Sequence, residues 1–236
     1  MRKRAIPGVS IITCTNRPQF FNNIVRNFQR QQYPAKELII ILNQDNMPLA
    51  EYRRKVRGVP NVRVYQVAER TSLGQCLNCG IVKAHFPLIA KFDDDDYYSP
   101  YYLREQVKAL YRTRSDIVGK HACLIYLTAS KQLLIRSPHD RDQEVEFVQG
   151  GTILFRRRVL RKVRFPDRSL GEDVAFLRAA RSHGFKTYAT TPFNYVYIRR
   201  KNKKSHTWRV QDDYYRNGGQ MIGVTKDFRP VSNRRL

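Results

Sequence analysis

The sequence predicts a Rossmann-like α/β fold, with a mostly parallel central sheet flanked by helices and a mixed second half. Three observations carry that expectation. Short β-rich apolar runs recur at Val9 to Thr13, Leu38 to Leu42 and Leu88 to Phe92, of the kind that form strands buried on both faces. Phe20, Phe21, Ile24, Val25 and Phe28 repeat at helical spacing between the first two runs. After about Ser115 the clean alternation of strand and helix gives way to strand-like pieces.

Each element has a local reason. Pro18 suits the first turn of the opening helix, and Pro34 lies just past its end. Val62 to Val67 alternates and reads as a further strand, Ser72 to Ala84 as a helix, and Ser99-Pro100 as the cap and first turn of the next. The first half thus reads β-α-β-β-α-β-α, as in a Rossmann-like sheet. Later come strands over Cys123 to Thr128 and Thr152 to Phe155, then a helix from about Glu172 to His183 that Gly184 stops. Residues 1–115 are read as a first half, 116–208 as a second half, and 209–236 as a polar, irregular tail of one compact domain.

Composition narrows the class. With 236 residues and 42% hydrophobic content the chain can bury a substantial core, and 11% aromatic residues argue against disorder. Forty-four Lys and Arg against 20 Asp and Glu leave a formal charge of +24, a field that attracts polyanions. The basic residues gather in Arg156 to Arg164, in Arg199 to Lys204 and at both termini, and a solvated face explains them as readily as a ligand does. No run is long enough to cross a bilayer and the start lacks the apolar stretch of a signal peptide, so a soluble, cytoplasmic protein is expected, peripheral at most to the inner face of a membrane. Four cysteines make no disulfide framework, and Cys76 and Cys79, a C-x-x-C without a second pair, read as plain thiols.

The segment richest in chemistry is Asp93-Asp94-Asp95-Asp96, placed at the end of an apolar strand. Four carboxylates there call for a cation, and hard oxygen ligands suit Mg²⁺ or Mn²⁺ bridging a diphosphate. An acidic loop pointing into water is the plainer alternative, but open α/β sheets bind ligands at the carboxyl ends of their strands. Neither G-x-G-x-x-G after the first strand nor a Walker A sequence occurs, which weakens the case for dinucleotide oxidoreductases and P-loop NTPases.

From Pro7 to Trp208 these motifs, in this order, resemble the inverting glycosyltransferases of family 2, which have the GT-A fold. Val9 to Arg17 is similar to the family's opening strand and turn, implying donor contacts from Thr13, Asn16 and Arg17. Glu37 to Asn43 resembles the second strand, but Asn43 stands where the family usually has the Asp that recognises the base. Gly74, Asn78 and Gly80 match a G-x-x-x-N-x-G helix flanking the nucleotide, and a tightly packed helix start would explain them too.

The resemblance further implies that Asp93 to Asp96 with Pro100 corresponds to the D-x-D motif. Asp95 and Asp93 would then bind the metal, and Asp93 and Asp94 lie near metal or ribose, in a register ambiguous by one residue. Gly171-Glu172-Asp173 is similar to the family's E-D motif, making Asp173 the general base on the acceptor hydroxyl, whereas acidic capping of a helix is the alternative. His206 falls in a late loop as a further metal ligand, Trp208 as a stacking platform, and Gly150-Gly151 as part of the acceptor wall. Implied partners are a nucleotide-diphosphate sugar donor and an anionic glycan acceptor or anionic membrane surface, in keeping with cell-envelope polysaccharide synthesis.

Two other classes compete. A basic nucleic-acid-binding protein accounts for the charge directly but leaves Asp93 to Asp96 and Glu172-Asp173 unexplained. A sugar nucleotidyltransferase also wants a sheet and carboxylates, but Thr13 to Arg17 lacks the expected glycines.

Overall fold

The computed structural model describes residues 6–202, 208 and 210–235. The first half alternates strand and helix: β1 (Val9–Thr15), α1 (Phe21–Gln29), β2 (Lys36–Leu42), α2 (Leu49–Lys55), β3 (Val62–Gln66), α3 (Leu73–Val82) and β4 (Leu88–Lys91). β1 pairs in parallel with both β2 and β4, and β2 with β3. Alternate side chains of the central strands enter two cores. Val9, Ile11, Leu38 and Ile40 pack with Phe21, Ile24 and Phe28 of α1, whereas Ile12, Ile39 and Ile41 pack with Leu77 and Ile81 of α3. That two-sided burial is why these strands read as continuous apolar runs.

The second half mixes directions, with β5 (Tyr97–Tyr98), α4 (Tyr102–Arg112), β6 (Ile117–Gly119), β7 (Cys123–Leu127), β8 (Gln132–Arg136), β9 (Gln143–Glu144) and β10 (Leu154–Arg156). There follow α5 (Glu172–Ser182), β11 (Thr187–Ala189), β12 (Tyr195–Arg199), α6 (Asp212–Asn217), β13 (Gly219–Val224) and α7 (Arg229–Ser232). One sheet has eight strands in the order β3-β2-β1-β4-β10-β6-β11-β9, with β10 antiparallel to both its neighbours. A second has five, in the order β13-β8-β7-β12-β5. Phe92 and the tetrad Asp93 to Asp96 are the whole link between β4 of the first sheet and β5 of the second.

Three expectations are corrected. α2 lies between the strands read as consecutive; it buries only Tyr52, so it shows no apolar stripe in sequence. α4 begins at Tyr102, because Ser99 Oγ accepts the Tyr101 N–H at 3.1 Å and starts the turn outside the helix. The polar C-terminal segment is regular: β13 pairs with β8, Tyr215 is buried, and Asn194 ties the end of the chain by hydrogen bonds with Ser232 O and the Arg234 backbone at 2.8–2.9 Å. β13 is a mostly exposed edge strand, which is why no burial alternation announces it.

One buried ion pair locks the second half. Lys120 Nζ donates to Glu105 Oε1 at 2.7 Å and to Thr190 Oγ1 at 3.0 Å, while Thr191 and Asn194 donate to the two Glu105 oxygens. Removing one member strands the other in a dry interior. Lys120→Met is therefore expected to lower the unfolding free energy by about 3–5 kcal/mol in urea titration. A loss under about 1 kcal/mol would mean that the Thr191 and Asn194 bonds alone support the carboxylate.

Candidate functional site

β1 and β4 end side by side, and this edge of the sheet collects the predicted residues. Asn23 and Asn27, one turn apart on α1, donate to the Asp94 and Asp96 carbonyls at 2.8–2.9 Å and so shape the tetrad's backbone. Tyr98 stacks on Phe92 with ring centroids 3.7 Å apart, accepts the Asp93 N–H at 2.7 Å and donates to Gly151 O at 2.6 Å. The four carboxylates are thereby sent to four places.

Asp96 turns inward. It is buried, receives Tyr195 Oη at 2.5 Å and the Ile198 N–H at 3.0 Å, and is pushed well above the usual carboxylate range by burial and by Asp95 and Asp93. It ties the tetrad to β12, and Asp93 and Asp95 are left as the two half-buried carboxylates of the four. Asp94 accepts Thr15 Oγ1 at 2.6 Å and Arg17 Nε at 3.1 Å. Arg17 also reaches Asp95 at 3.0 Å, and Arg200 pairs with Asp95 from β12's far end. Both guanidiniums lie 4.8 Å from the Phe20 ring centroid. Burial pushes Asp95 upward, but Arg17 and Arg200 outweigh it and hold it below its ordinary range.

Asp93 and Asp173 both reach Gly150-Gly151, which with Thr152 forms a short 3₁₀ turn, so the strand expected from Thr152 starts only at Leu154. A Cβ on Gly150 would lie 2.0 Å from Asp173 Oδ2, and one on Gly151 2.7 Å from Asp93 Oδ2. Neighbouring glycines therefore seat the two carboxylates side by side on bare backbone. Gly171, at φ 73°, turns the chain into α5 and brings Glu172 and Asp173 to this spot. Beneath them Lys91, buried at the end of β4, donates to Asp93 Oδ1 at 2.8 Å and lies 3.8 Å from Glu172 Oε1.

The remaining expected residues are placed as follows. Thr13 is buried beside Thr15 on β1, and its Oγ1 has no hydrogen-bond partner among the described residues. Asn16 is exposed at the strand's exit. Asn43 closes the same edge, its N–H on Thr15 O at 2.8 Å and its amide donating to Ala68 O at 2.9 Å. Asn78 is differently employed: both ends of its carboxamide bond the Phe165 backbone, while a Cβ on Gly74 would strike Pro166 O at 1.9 Å. Packing of α3 against residues 165–168 thus accounts for that motif. His206 lies outside the described residues, and Trp208 packs edge-on against Tyr214 and Tyr215. The basic run at Arg156 to Arg164 lies elsewhere: Arg157, Arg158, Arg161 and Arg164 line a groove of about 490 Å³ with Ile81, Val82 and Leu160, following β10 at the end of the strands where β4 begins.

Sequence reasoning missed Lys91, Thr15, Asn23, Asn27, Tyr98 and Arg200. A lysine inside an apolar strand and two asparagines spaced by four on an apolar helix face were the available signals. Among the described residues no group of three or more His, Cys, Asp or Glu is arranged to hold a metal, and no helix is long and apolar enough to cross a membrane.

A model of the family described as glycosyltransferase like family 2 matches residues 7–211. The fold is similar to S. aureus TarS 1–349 in complex with UDP-GlcNAc, at 17% identity and a TM-score of 0.67, covering 89% of this chain and 64% of that one. It is also similar to the mannosyltransferase PcManGT from Pyrobaculum calidifontis in complex with GDP-Man and Mn²⁺, at 18% identity and a TM-score of 0.63, covering 87% and 59%. The chain thus spans less than two thirds of either structure. Among curated proteins, none matches the sequence.

Titration offers a check on the tetrad. Burial and the neighbouring Asp95 push Asp94 up to about 6, against the pull of Arg17 and Thr15. A carboxyl raised in the folded state holds its proton more readily there than in the unfolded chain, so its contribution to stability is full at low pH and lost as pH rises through about 6. From pH 5 to 7.5, Asp94→Asn is expected to gain about 1 kcal/mol on the wild type in urea titration. A difference independent of pH would show that Asp94 is ionised throughout.

Proposed function

The chain belongs to glycosyltransferase like family 2, and on that premise we propose that it transfers a sugar from a nucleoside-diphosphate sugar to an acceptor hydroxyl, with inversion and with a divalent metal. The observation that carries this reading is the seating of Asp93 and Asp173 on adjacent glycines. An inverting displacement needs a cation-binding carboxylate on the leaving-group side of the reacting carbon and a basic carboxylate on the acceptor side, close enough to share one sugar. Supporting it are the GT-A-like fold and the complexes of two similar structures with UDP-GlcNAc and with GDP-Man and Mn²⁺.

Asp93 and Asp95 supply hard oxygens, and a small divalent ion held by one or two carboxylates, phosphate oxygens and water needs no three-residue cage. They therefore fit Mn²⁺ or Mg²⁺, which when bound offsets negative charge gathering on the diphosphate. Arg17 and Arg200, already gathered on Asp95, place two guanidiniums where a diphosphate would lie. Thr13, with its unpartnered buried hydroxyl, and Asn16 and Asn43 at the same strand ends, line the nucleoside side. Asp173 takes the acceptor hydroxyl's proton as that oxygen attacks the anomeric carbon, and the bond from that carbon to the diphosphate breaks on the opposite face.

A positively charged surface near such a site suits an anionic glycan acceptor or membrane. The Arg157 to Arg164 groove, at the end of the strands where β4 begins, is remote from the reacting groups and would dock the protein rather than feed the site.

Two variants test the assignment. Asp95→Ala is expected to abolish Mn²⁺-dependent binding of nucleoside diphosphates by calorimetry while the protein stays folded. Unchanged metal-dependent binding would remove Asp95 from the metal site. Asp173→Asn should leave that binding nearly normal yet cut transfer by about a hundred- to ten-thousand-fold, since the amide cannot accept the proton. Transfer within a few-fold of wild type would reduce Asp173 to a helix-end charge.

A further inference from the structure

Lys91 has no role in the reading above, yet its setting is unusual. It ends β4, where its N–H is held by Ile153 O at 2.9 Å, and its side chain is 6% exposed. The ammonium faces Asp93 at 2.8 Å and Glu172 at 3.8 Å. Glu172 is buried in turn, and is the residue on which α5 starts and Asp173 follows. Burying an ammonium with two carboxylates is costly, and replacing such a group as a whole by apolar side chains of like volume is often neutral for stability. Packing alone does not call for a lysine.

We propose that Lys91 is the positioning residue of the site: its ammonium joins Asp93 to Glu172, and through Glu172 it sets where Asp173 stands relative to the donor. The link is short in space and long in sequence. Asp93 follows β4, Glu172 opens α5, and the glycine turn between them carries the carboxylates of Asp93 and Asp173 on its two residues. Neither glycine has a side chain to keep those carboxylates apart or together, so the cation beneath does it.

This inference rests on Asp173 being the base and Asp93 lying on the donor side. Its test uses the full chain with Lys91→Met, Lys91→Arg and Glu172→Gln. Lys91→Met leaves Glu172 buried without its cation and is expected to lower stability, and the folded protein is expected to lose about a hundred-fold in kcat, the scale of a misplaced reacting group. Donor KM should move less than kcat. A purely structural lysine would lower stability and leave the kcat of the folded protein in place. Lys91→Arg, which keeps the charge, should recover most of the loss. If Lys91→Met does not fold, Glu172→Gln breaks the same link from the helix side and should reproduce the fall in kcat. Transfer by a folded Lys91→Met or Glu172→Gln within a few-fold of wild type overturns the proposal. Were Asp173→Asn also fully active, the functional reading would have failed first; an inactive Asp173→Asn beside a normal Lys91→Met would sink the positioning role alone.

Discussion

Four consecutive carboxylates cannot share one environment at the end of a buried strand, and their separation is the constraint on which this structure turns. The tetrad joins two sheets, so its residues are drawn in different directions. Asp96 is pulled into the second sheet by Tyr195 and the Ile198 N–H, Asp94 is taken by Thr15 and Arg17, and Asp95 is met by Arg17 and Arg200. Asp93 keeps one oxygen on Lys91 and presents the other over Gly151. Like charges a few ångströms apart are tolerable only when each has its own counter-charge or donors.

From that allocation the shape of the cleft follows. α1 is oriented by the two asparagines that grip the tetrad's carbonyls, so the helix next to the first strand is registered against the site as well as against the core. Tyr98 connects the Asp93 backbone to Gly151, and the glycine turn in its turn receives Asp173 from α5. Elements distant in sequence are thus tied to one segment by hydrogen bonds whose partners are buried and hence expensive to lose.

The chain's excess of positive charge divides into two kinds. Arg17, Lys91, Lys120 and Arg200 are partnered inside the fold, where they make burial of Asp93, Asp94, Asp95 and Glu105 feasible. Arg161 and Arg164 belong to an exposed groove at the end of the strands where β4 begins, where the field they create acts on solution. Net charge alone does not distinguish these, because it counts both.

By itself the sequence determined the parallel half of the fold, since strands buried on both faces must be apolar throughout and the helices between them must show one apolar face. It also singled out Asp93 to Asp96 and Glu172-Asp173 as the candidates for the chemistry, because such carboxylates stand out against an apolar strand and a helix entry. What it left open concerns pairings across long separations. Only tertiary structure decided that Asp96 is a buried tie to Tyr195, that Asn78 is spent on the Phe165 backbone, and that the polar segment after residue 210 completes a sheet. It alone put Lys91 beneath Asp93 and Glu172. Periodicity reports which face of an element is buried. It carries no information on which of several identical charges finds which partner, because that depends on where the chain returns in space.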